Sequence, residues 1–137
     1  MRKLAAIGSV AALTTAGLLM GVTQANADAH GTCRSGQACL YENFDFNNGN
    51  TDHWRDFSGN NGNFNNVVWK DSNGSDSSDH MDNETSSIRN RRGCRVRLWQ
   101  DVGAGGAYTD FNNNVDDGYL SNNSIGDNRA SAISIYC

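Results

Sequence analysis

The feature that most constrains the fold is a pattern of residue types that occurs twice. The first copy opens with residues 40–42 (LYE) and closes with residues 82–87 (DNETSS). The second copy opens with residues 98–100 (LWQ) and closes with residues 127–132 (DNRASA), and an isoleucine follows each closing segment. A repeat of this size is too short to bury a core alone, so the two copies are expected to pack against each other.

The two copies differ in length. Their opening and closing segments begin 42 positions apart in the first copy and 29 in the second. The first copy therefore carries an insertion of about a dozen residues, which we place in the polar tract before His80.

Short alternating segments indicate an all-β domain. Apolar and polar residues alternate over 38–44, 67–69, 94–99, 107–111 and 131–137, and clusters of Gly, Asn, Asp and Ser separate these segments. Proline is absent, so asparagine and glycine must supply the turns. The polar tract 47–80 is predicted to hold the longest loop. The pattern as a whole predicts a β-sandwich of two repeated motifs.

The N-terminus has the form of a secretory signal peptide. A charged tip with Arg2 and Lys3 precedes an apolar run over 4–22, and residues 25–27 (ANA) match the small-x-small pattern of a cleavage site. We expect residues 1–27 to be removed, residues 28–137 to form a single domain, and the mature protein to be secreted and extracellular. Beyond the signal, no apolar stretch is long enough to span a bilayer, so no membrane partner is expected.

Cleavage after Ala27 would also create a candidate copper site at the new N-terminus. The amine, two amides and imidazole of residues 28–30 (DAH) could surround a square-planar Cu(II) or Ni(II) ion. Cleavage after Ala29, which fits the same pattern, would destroy this site, and a disordered tail is the alternative interpretation.

The charge balance argues against nucleic acid as a partner. The net charge is −4 at pH 7 and becomes more negative once Arg2 and Lys3 are removed, whereas phosphates require a cationic face. Arginines do cluster over 89–97, but two of them alternate with apolar residues. A solvated strand face is the expected role of that cluster.

All four cysteines lie in the exported part of the chain, and they favour two disulfides. Zinc spacing is absent, because no CxxC pair and no neighbouring histidine pair accompanies them. Three pairings are possible, and we favour Cys33–Cys39 as a local bridge and Cys94–Cys137 as a long-range one. Cys94 and Cys137 each continue the apolar alternation of a strand, so both are expected on the inward face.

The opening and closing segments resemble the paired signatures of βγ-crystallin Greek-key motifs. Tyr41-Glu42 followed by Phe46 matches the opening signature, and the segment 82–87 matches the closing one in full. The cysteine arrangement, over 33–137, is similar to that of secreted actinobacterial members grouped as peptidase inhibitor family I36. The resemblance implies a βγ-crystallin-like Greek-key sandwich and a calcium cofactor shared by the two repeats.

The resemblance also implies which residues would bind calcium. Each ion would take a carbonyl and a hydroxyl from one closing segment, a carbonyl after the opening aromatic, and a side chain from the other closing segment. The first set would be Glu42, Glu84, Ser86 and Asp127, and the second set would be Gln100, Arg129, Ser131 and Asp82. Such oxygen donors suit calcium, although Asp, Asn and Ser also satisfy backbone donors in ordinary turns.

Three positions depart from the signature. Ala132 stands where the second closing segment should have serine, and Ala104 stands where an aromatic residue would match Phe46. Gly49 falls one residue late, with Asn48 in the expected position. We therefore expect the second calcium set to be the weaker one.

The residues offer no catalytic constellation, so the chain is predicted not to be an enzyme. His30, His53 and His80 are the available imidazole bases, and none lies in a recognisable nucleophile motif. Scattered aspartates in polar loops are usually solvated surface.

The resemblance makes inhibition of an extracellular peptidase, such as a metalloproteinase, the leading function. The protein is expected to act as a monomer through a rigid loop, with residues 58–80 and 90–95 as the candidates. Phe64 or Trp69 could anchor such a loop or belong to the core. The alternative is a calcium-stabilised structural or antimicrobial, killer-toxin-like protein without a protease target.

Overall fold

The computed structural model describes residues 32–48 and 50–137, which form short β-strands and single-turn 3-10 helices. The strands are β1 (Ala38–Tyr41), β2 (Trp54–Phe57), β3 (Val68–Lys70), β4 (Asp76–His80), β5 (Ser87–Asn90), β6 (Arg95–Asp101), β7 (Gly105–Phe111), β8 (Asp116–Asp117) and β9 (Ala132–Tyr136). The 3-10 helices are η1 (Asp45–Asn47), η2 (Phe64–Asn66) and η3 (Leu120–Asn122). The all-β prediction is confirmed. The predicted signal peptide, the 28–30 segment and Gly49 lie outside the described residues.

The strands form two antiparallel sheets. One has the order β4-β3-β2-β1-β5-β8 and the other has the order β7-β6-β9. Within the described ranges, no helix is long and apolar enough to cross a membrane.

Each repeat places part of its chain beside the sheet of the other repeat. Strand β8, from the second repeat, pairs with β5 of the first through Ile88 and Asp117. In return, Asn61 of the first repeat forms an isolated antiparallel bridge with Ile133 of the second. This exchange is the Greek-key arrangement, and it means that neither half completes its sheet without the other.

The core lies between the two sheets and follows the alternation of the sequence. Leu40 and Ile88 face it from the larger sheet, while Val96, Leu98 and Ile133 face it from the smaller one; each is at most 1% exposed. The predicted alternating segments therefore mark the inward faces correctly.

The polar tract 47–80 is not the long loop that the sequence predicts. It contains β2, η2, β3 and the whole of β4. The prediction was wrong because the apolar residues of this tract are few and widely spaced, yet they are deeply buried: Phe64 and Trp69 are both 0% exposed. Sparse aromatic anchors can hold a polar segment in regular structure, although they leave no clear alternation in the sequence.

The insertion in the first repeat is the hairpin of β3 and β4. It extends the larger sheet beyond β2, whereas the smaller sheet ends at β7 on the corresponding side. The predicted position of the insertion, before His80, is therefore confirmed.

Both predicted disulfides are present. Cys33–Cys39 ties the start of the described chain to β1, and Cys94–Cys137 joins the residue before β6 to the residue after β9. Cys94 is half-buried and Cys137 is exposed, so the second bridge lies at the rim of the sandwich. The expectation of an inward position was wrong for Cys137, because β9 has already left the core at Tyr136, which is exposed.

The arginines of β6 lie on the outer face of the smaller sheet, as predicted. The guanidinium of Arg97 donates two hydrogen bonds of 2.7 Å to Asp110, and it lies 3.8 Å from the ring centre of Tyr108. These hydrogen bonds lower the pKa of the Asp110 carboxyl below its usual value. Arg97 is thus paired with an acidic and an aromatic neighbour.

A buried serine closes the first opening hairpin. Strand β1 ends at Tyr41. The four consecutive residues 45–48 all have positive φ angles, and the chain folds back sharply there. The Ser87 hydroxyl donates to the Asn43 carbonyl at 2.7 Å and accepts from the Phe46 N–H at 3.1 Å. Ala132, at the matching position of the second repeat, cannot make either bond. The opening hairpin of the second repeat therefore lacks the two hydrogen bonds that Ser87 makes in the first.

We predict that Ser87→Ala lowers the free energy of unfolding by about 1–3 kcal/mol, because it leaves the Phe46 N–H without its acceptor inside a closed turn. Urea unfolding followed by tryptophan fluorescence measures the change. Ser78→Ala, at an exposed position in β4, is the matched control and should change stability by less than about 0.5 kcal/mol. Equal losses in the two variants would contradict the role given to Ser87.

Candidate metal centre

The two closing segments lie against each other and exchange backbone hydrogen bonds. The Asn83 N–H donates to the Ala130 carbonyl at 3.0 Å, and the Asn128 N–H donates to the Thr85 carbonyl at 3.1 Å. These two bonds join equivalent positions of the two repeats. The segments are therefore related by a local pseudo-two-fold arrangement.

Each closing segment is also bonded to the opening strand of its own repeat. The Ser86 N–H donates to the Tyr41 carbonyl at 2.9 Å, and the Ser131 N–H donates to the Trp99 carbonyl at 2.8 Å. Glu42 and Gln100 directly follow these acceptors in the chain. Each repeat therefore brings its serine close to the residue that follows its opening aromatic.

The serine hydroxyls connect the two segments a second time. Ser86 Oγ donates to Asn128 Oδ1 at 3.1 Å, and Ser131 Oγ donates to Asn83 Oδ1 at 3.4 Å. A hydroxyl that donates its proton in this way keeps both lone pairs available for another partner. The arrangement is compatible with a cation beside each serine.

The turns depend on asparagine at their second position. Asn83 has φ 60° and Asn128 has φ 52°, both in the left-handed region. Asparagine tolerates this region better than most residues with a Cβ atom. These two residues were absent from the predicted ligand sets, although the second position of the signature could have identified them.

The first predicted set surrounds a single cavity of about 460 Å³. The residues that line it are Glu42, Asn43, Phe44, Asn83, Glu84, Ser86, Asp127 and Asn128. The structure thus brings together all four residues of the first set, from the position after β1, the first closing segment and the second closing segment. Their assignment as ligands stays a prediction.

Two carboxylate oxygens at this junction are buried without a hydrogen-bond partner. Across residues 32–48 and 50–137, no donor reaches Asp127 Oδ1, which belongs to the first set, or Asp82 Oδ1, which belongs to the second. A buried carboxylate oxygen is unfavourable unless a donor or a cation compensates it. The residues therefore fit a cation at both positions.

The side chains of Glu42 and Glu84 are engaged elsewhere, and this supports the use of their backbone. Glu84 Oε2 accepts from Trp69 Nε1 at 2.9 Å, and Glu42 Oε2 contacts His53 Nδ1 at 2.6 Å. Carbonyl oxygens are good ligands for hard cations. The geometry agrees with the backbone roles that the resemblance implies.

The second set is less favourable for a cation. Ser131 is buried like Ser86, but Arg129 replaces Glu84 at the matching position and adds a positive charge. Its side chain lies beside Gly126, where an added Cβ would be 3.1 Å from Arg129 Cδ. A neighbouring cationic side chain weakens a cation site by Coulomb repulsion.

The second opening hairpin relies on glycine where the first uses Asn48. Gly106 has φ +73°, and a Cβ at this position would lie 2.5 Å from Asp101 Oδ2. The Asp101 carboxylate therefore occupies the space that a side chain at position 106 would need. The two halves therefore reach similar turns with different residues.

Solved structures of βγ-crystallins share this architecture. One, from work on the evolution of the eye lens βγ-crystallin domain fold, has a TM-score of 0.59 and 16% identity, covering 76% of this chain and 88% of that one. An archaeal βγ-crystallin has a TM-score of 0.54 and 16% identity, covering 75% and 100%. A βγ-crystallin from Ciona intestinalis has a TM-score of 0.53 and 16% identity, covering 74% and 100%. The chain therefore has a βγ-crystallin fold.

No protein-family model matches the chain, and no curated protein does. The βγ-crystallin resemblance is confirmed for the fold, while membership of peptidase inhibitor family I36 stays a prediction. The matched structures are known as crystallins rather than as enzymes. That this chain is not an enzyme also stays a prediction.

We predict that Asn128→Ala is less stable than Asn128→Gly by about 1 kcal/mol, because the left-handed conformation strains a residue with a Cβ atom. Both variants lose the hydrogen bond that Asn128 Oδ1 accepts from Ser86 Oγ. The difference in stability between them therefore reports the cost of the left-handed backbone conformation. Thermal unfolding measures it.

The matched control for this comparison is Asn65, an exposed residue of η2 whose φ is not positive. There the order should reverse, with Gly less stable than Ala. An alanine at position 128 as stable as glycine would contradict the importance of the turn geometry.

Proposed function

We propose that this chain is a calcium-binding βγ-crystallin domain in which the cation joins the two repeats. The observation that carries the proposal is the buried, unpartnered Oδ1 of Asp127, a residue that lines the same cavity as the first closing segment. Ser86 would supply its hydroxyl, and Glu42 and Glu84 would supply carbonyl oxygens. The bound ion would remove the electrostatic cost of the buried carboxylate.

The donor chemistry favours calcium over other common cations. Carbonyl, hydroxyl and carboxylate oxygens are hard ligands, and calcium accepts six to eight of them in irregular geometry. Magnesium requires near-ideal octahedral geometry and releases its water reluctantly, which suits a cavity with mixed loop donors less well. The described residues that line the cavity include no thiol or imidazole, the ligands that softer metals prefer.

Calcium at this position would act as a cross-link. Asp127 comes from the second repeat and the other three proposed ligands come from the first, so the ion would bind both halves of the pseudo-symmetric junction. We expect the first set to fill before the second, because Arg129 places positive charge at the second. Binding to the folded state alone raises stability by mass action.

We predict that Asp127→Asn has opposite effects with and without calcium. In a chelator, the variant should be as stable as the parent or more stable, because it removes a buried unpaired charge. In millimolar calcium, the parent should gain stability, by about 2.7 kcal/mol if calcium exceeds the dissociation constant a hundredfold. The variant should gain much less, with calcium binding weaker by at least about tenfold. Thermal unfolding and calorimetric titration measure both effects.

Asp45→Asn is the control for charge removal, since Asp45 is exposed in η1 and does not line the cavity. This variant should respond to calcium as the parent does. A parent protein whose melting temperature is the same in millimolar calcium and in chelator would overturn the proposal.

Peptidase inhibition is the second candidate function, and the rigidity of residues 90–95 favours it. We name this segment the arginine loop. Asn90 is 0% exposed, and its Nδ2 donates to the carbonyls of Cys94, Phe111 and Asn112 at 2.9–3.0 Å. The Cys94–Cys137 bridge holds the end of the loop. A segment held in this way loses little conformational entropy when it enters a protease cleft.

The arginine loop is also exposed at its tip. Gly93 is exposed, and its N–H donates to Asn113 Oδ1 at 3.0 Å. The Arg92 N–H donates to Asn90 Oδ1 at 2.9 Å, and Arg92 Nε donates to the Ser58 carbonyl at 3.1 Å. The loop therefore combines an ordered backbone with an accessible turn.

The other candidate loop, 58–80, is less suitable. The two aromatic residues considered as anchors, Phe64 and Trp69, are both fully buried. They belong to the core, so neither can enter a protease without unfolding the sandwich. The arginine loop is the better position for contact with an extracellular peptidase.

We predict that the mature protein slows a thermolysin-like metalloproteinase or a serine protease such as subtilisin at near-stoichiometric amounts. Arg92→Ala should weaken that inhibition at least about tenfold, a typical effect of removing a central interface residue. Arg55→Ala, on β2, is the control and should inhibit as the parent does. Residual peptidase activity against inhibitor concentration measures the effect. No slowing of any protease would favour a calcium-stabilised structural or antimicrobial protein.

A further inference from the structure

A second group of candidate metal ligands shares Glu42 with the cavity of the proposed calcium site, here called the calcium cavity. Glu42, His53 and Asp79 each offer one ligand atom, and these atoms all lie within 4.8 Å of one another. All three residues are half-buried. They come from the residue after β1, the residue before β2, and β4, so the tertiary structure assembles the group from three separate segments.

We propose that Glu42, His53 and Asp79 form a zinc site that is distinct from the calcium cavity. An imidazole nitrogen with two carboxylate oxygens is a ligand set that zinc accepts, with water completing the coordination. Imidazole is not a ligand for calcium or magnesium, which bind oxygen. The site uses the Glu42 carboxylate, whereas the calcium proposal uses the Glu42 carbonyl, so the two sites share this residue but use different atoms of it.

The geometry requires only small side-chain movements. Ligand atoms around a tetrahedral zinc ion lie about 3.3 Å apart, given metal–ligand distances of about 2.0–2.2 Å. Glu42 Oε2 and His53 Nδ1 are 2.6 Å apart and would separate slightly, while the most distant pair would approach. The Glu42 and His53 side chains are 28% and 29% exposed, so both have room to rotate.

The backbone holds two of the three ligands in place. The Glu42 N–H donates to the His53 carbonyl at 3.1 Å, and the His53 N–H donates to the Lys70 carbonyl at 2.7 Å. Asn47 Nδ2 also donates to the His53 carbonyl, at 3.1 Å. Glu42 and His53 are therefore fixed relative to each other before any ion arrives, which limits the entropy lost on binding.

The third ligand comes from the inserted hairpin. Along β4, Ser77 and Asp79 are half-buried, whereas His80 is exposed. The alternation of the strand therefore turns the Asp79 carboxylate towards Glu42 and His53 and turns His80 away. The second repeat has no hairpin at the equivalent place, so the insertion itself creates the site.

The test is a calorimetric zinc titration of the secreted protein in calcium-free buffer. His30→Gln is included throughout, so that the N-terminal imidazole contributes nothing. We expect one equivalent of zinc to bind, and His53→Gln and Asp79→Asn each to weaken binding at least tenfold. Cobalt(II) in place of zinc should give a visible absorption band in the parent that both variants lose.

Two controls separate this site from its neighbours. His80→Gln changes the exposed histidine next to Asp79, and Asp127→Asn changes the calcium cavity; both should bind zinc as the parent does. Circular dichroism confirms that each variant is folded. Absence of zinc binding, binding that survives His53→Gln and Asp79→Asn, or binding that Asp127→Asn removes would each overturn the proposal.

Discussion

The structure depends on the reciprocal hydrogen bonds between the two closing segments. The bonds from Asn83 to Ala130 and from Asn128 to Thr85 join the repeats at their pseudo-two-fold junction. Because each repeat also places a strand or bridge beside the other repeat's sheet, this junction and the shared core form together. The proposed calcium ligands come from both halves, so the cavity exists only when the repeats are docked. Fold and candidate site therefore have one physical origin.

Glu42 illustrates how a single residue can belong to two environments. It follows the opening aromatic and lines the calcium cavity, while its carboxylate contacts His53. The inserted hairpin brings Asp79 to the same carboxylate. The sequence motif specifies the position of Glu42 at the cavity through local spacing. The contact of its carboxylate with His53 and Asp79 arises because the inserted hairpin extends the sheet, and the motif does not encode that contact.

Much of the fold could be predicted because it rests on short-range patterns. The alternation around Leu98 and Ile133 identified inward faces, and the duplicated signature identified the two turns. The tract 47–80 could not be predicted in the same way. Its strands are polar, and they are held by a few buried aromatics such as Trp69, whose burial depends on distant residues. Ser87 and Ala132 show the same limit, because the function of that serine appears only when the hairpin is folded.

The sequence by itself determined the repeat, the position of the insertion and the two closing turns, and it favoured the two disulfide pairs that the structure contains. All of these follow from residue type and local spacing, which fix backbone preference and strand face. Only the tertiary structure decided that Asp127 Oδ1 and Asp82 Oδ1 are buried without partners, that Phe64 is core, and that Asp79 meets His53. Those outcomes depend on sheet register and packing between segments tens of residues apart, and local preferences do not specify such contacts.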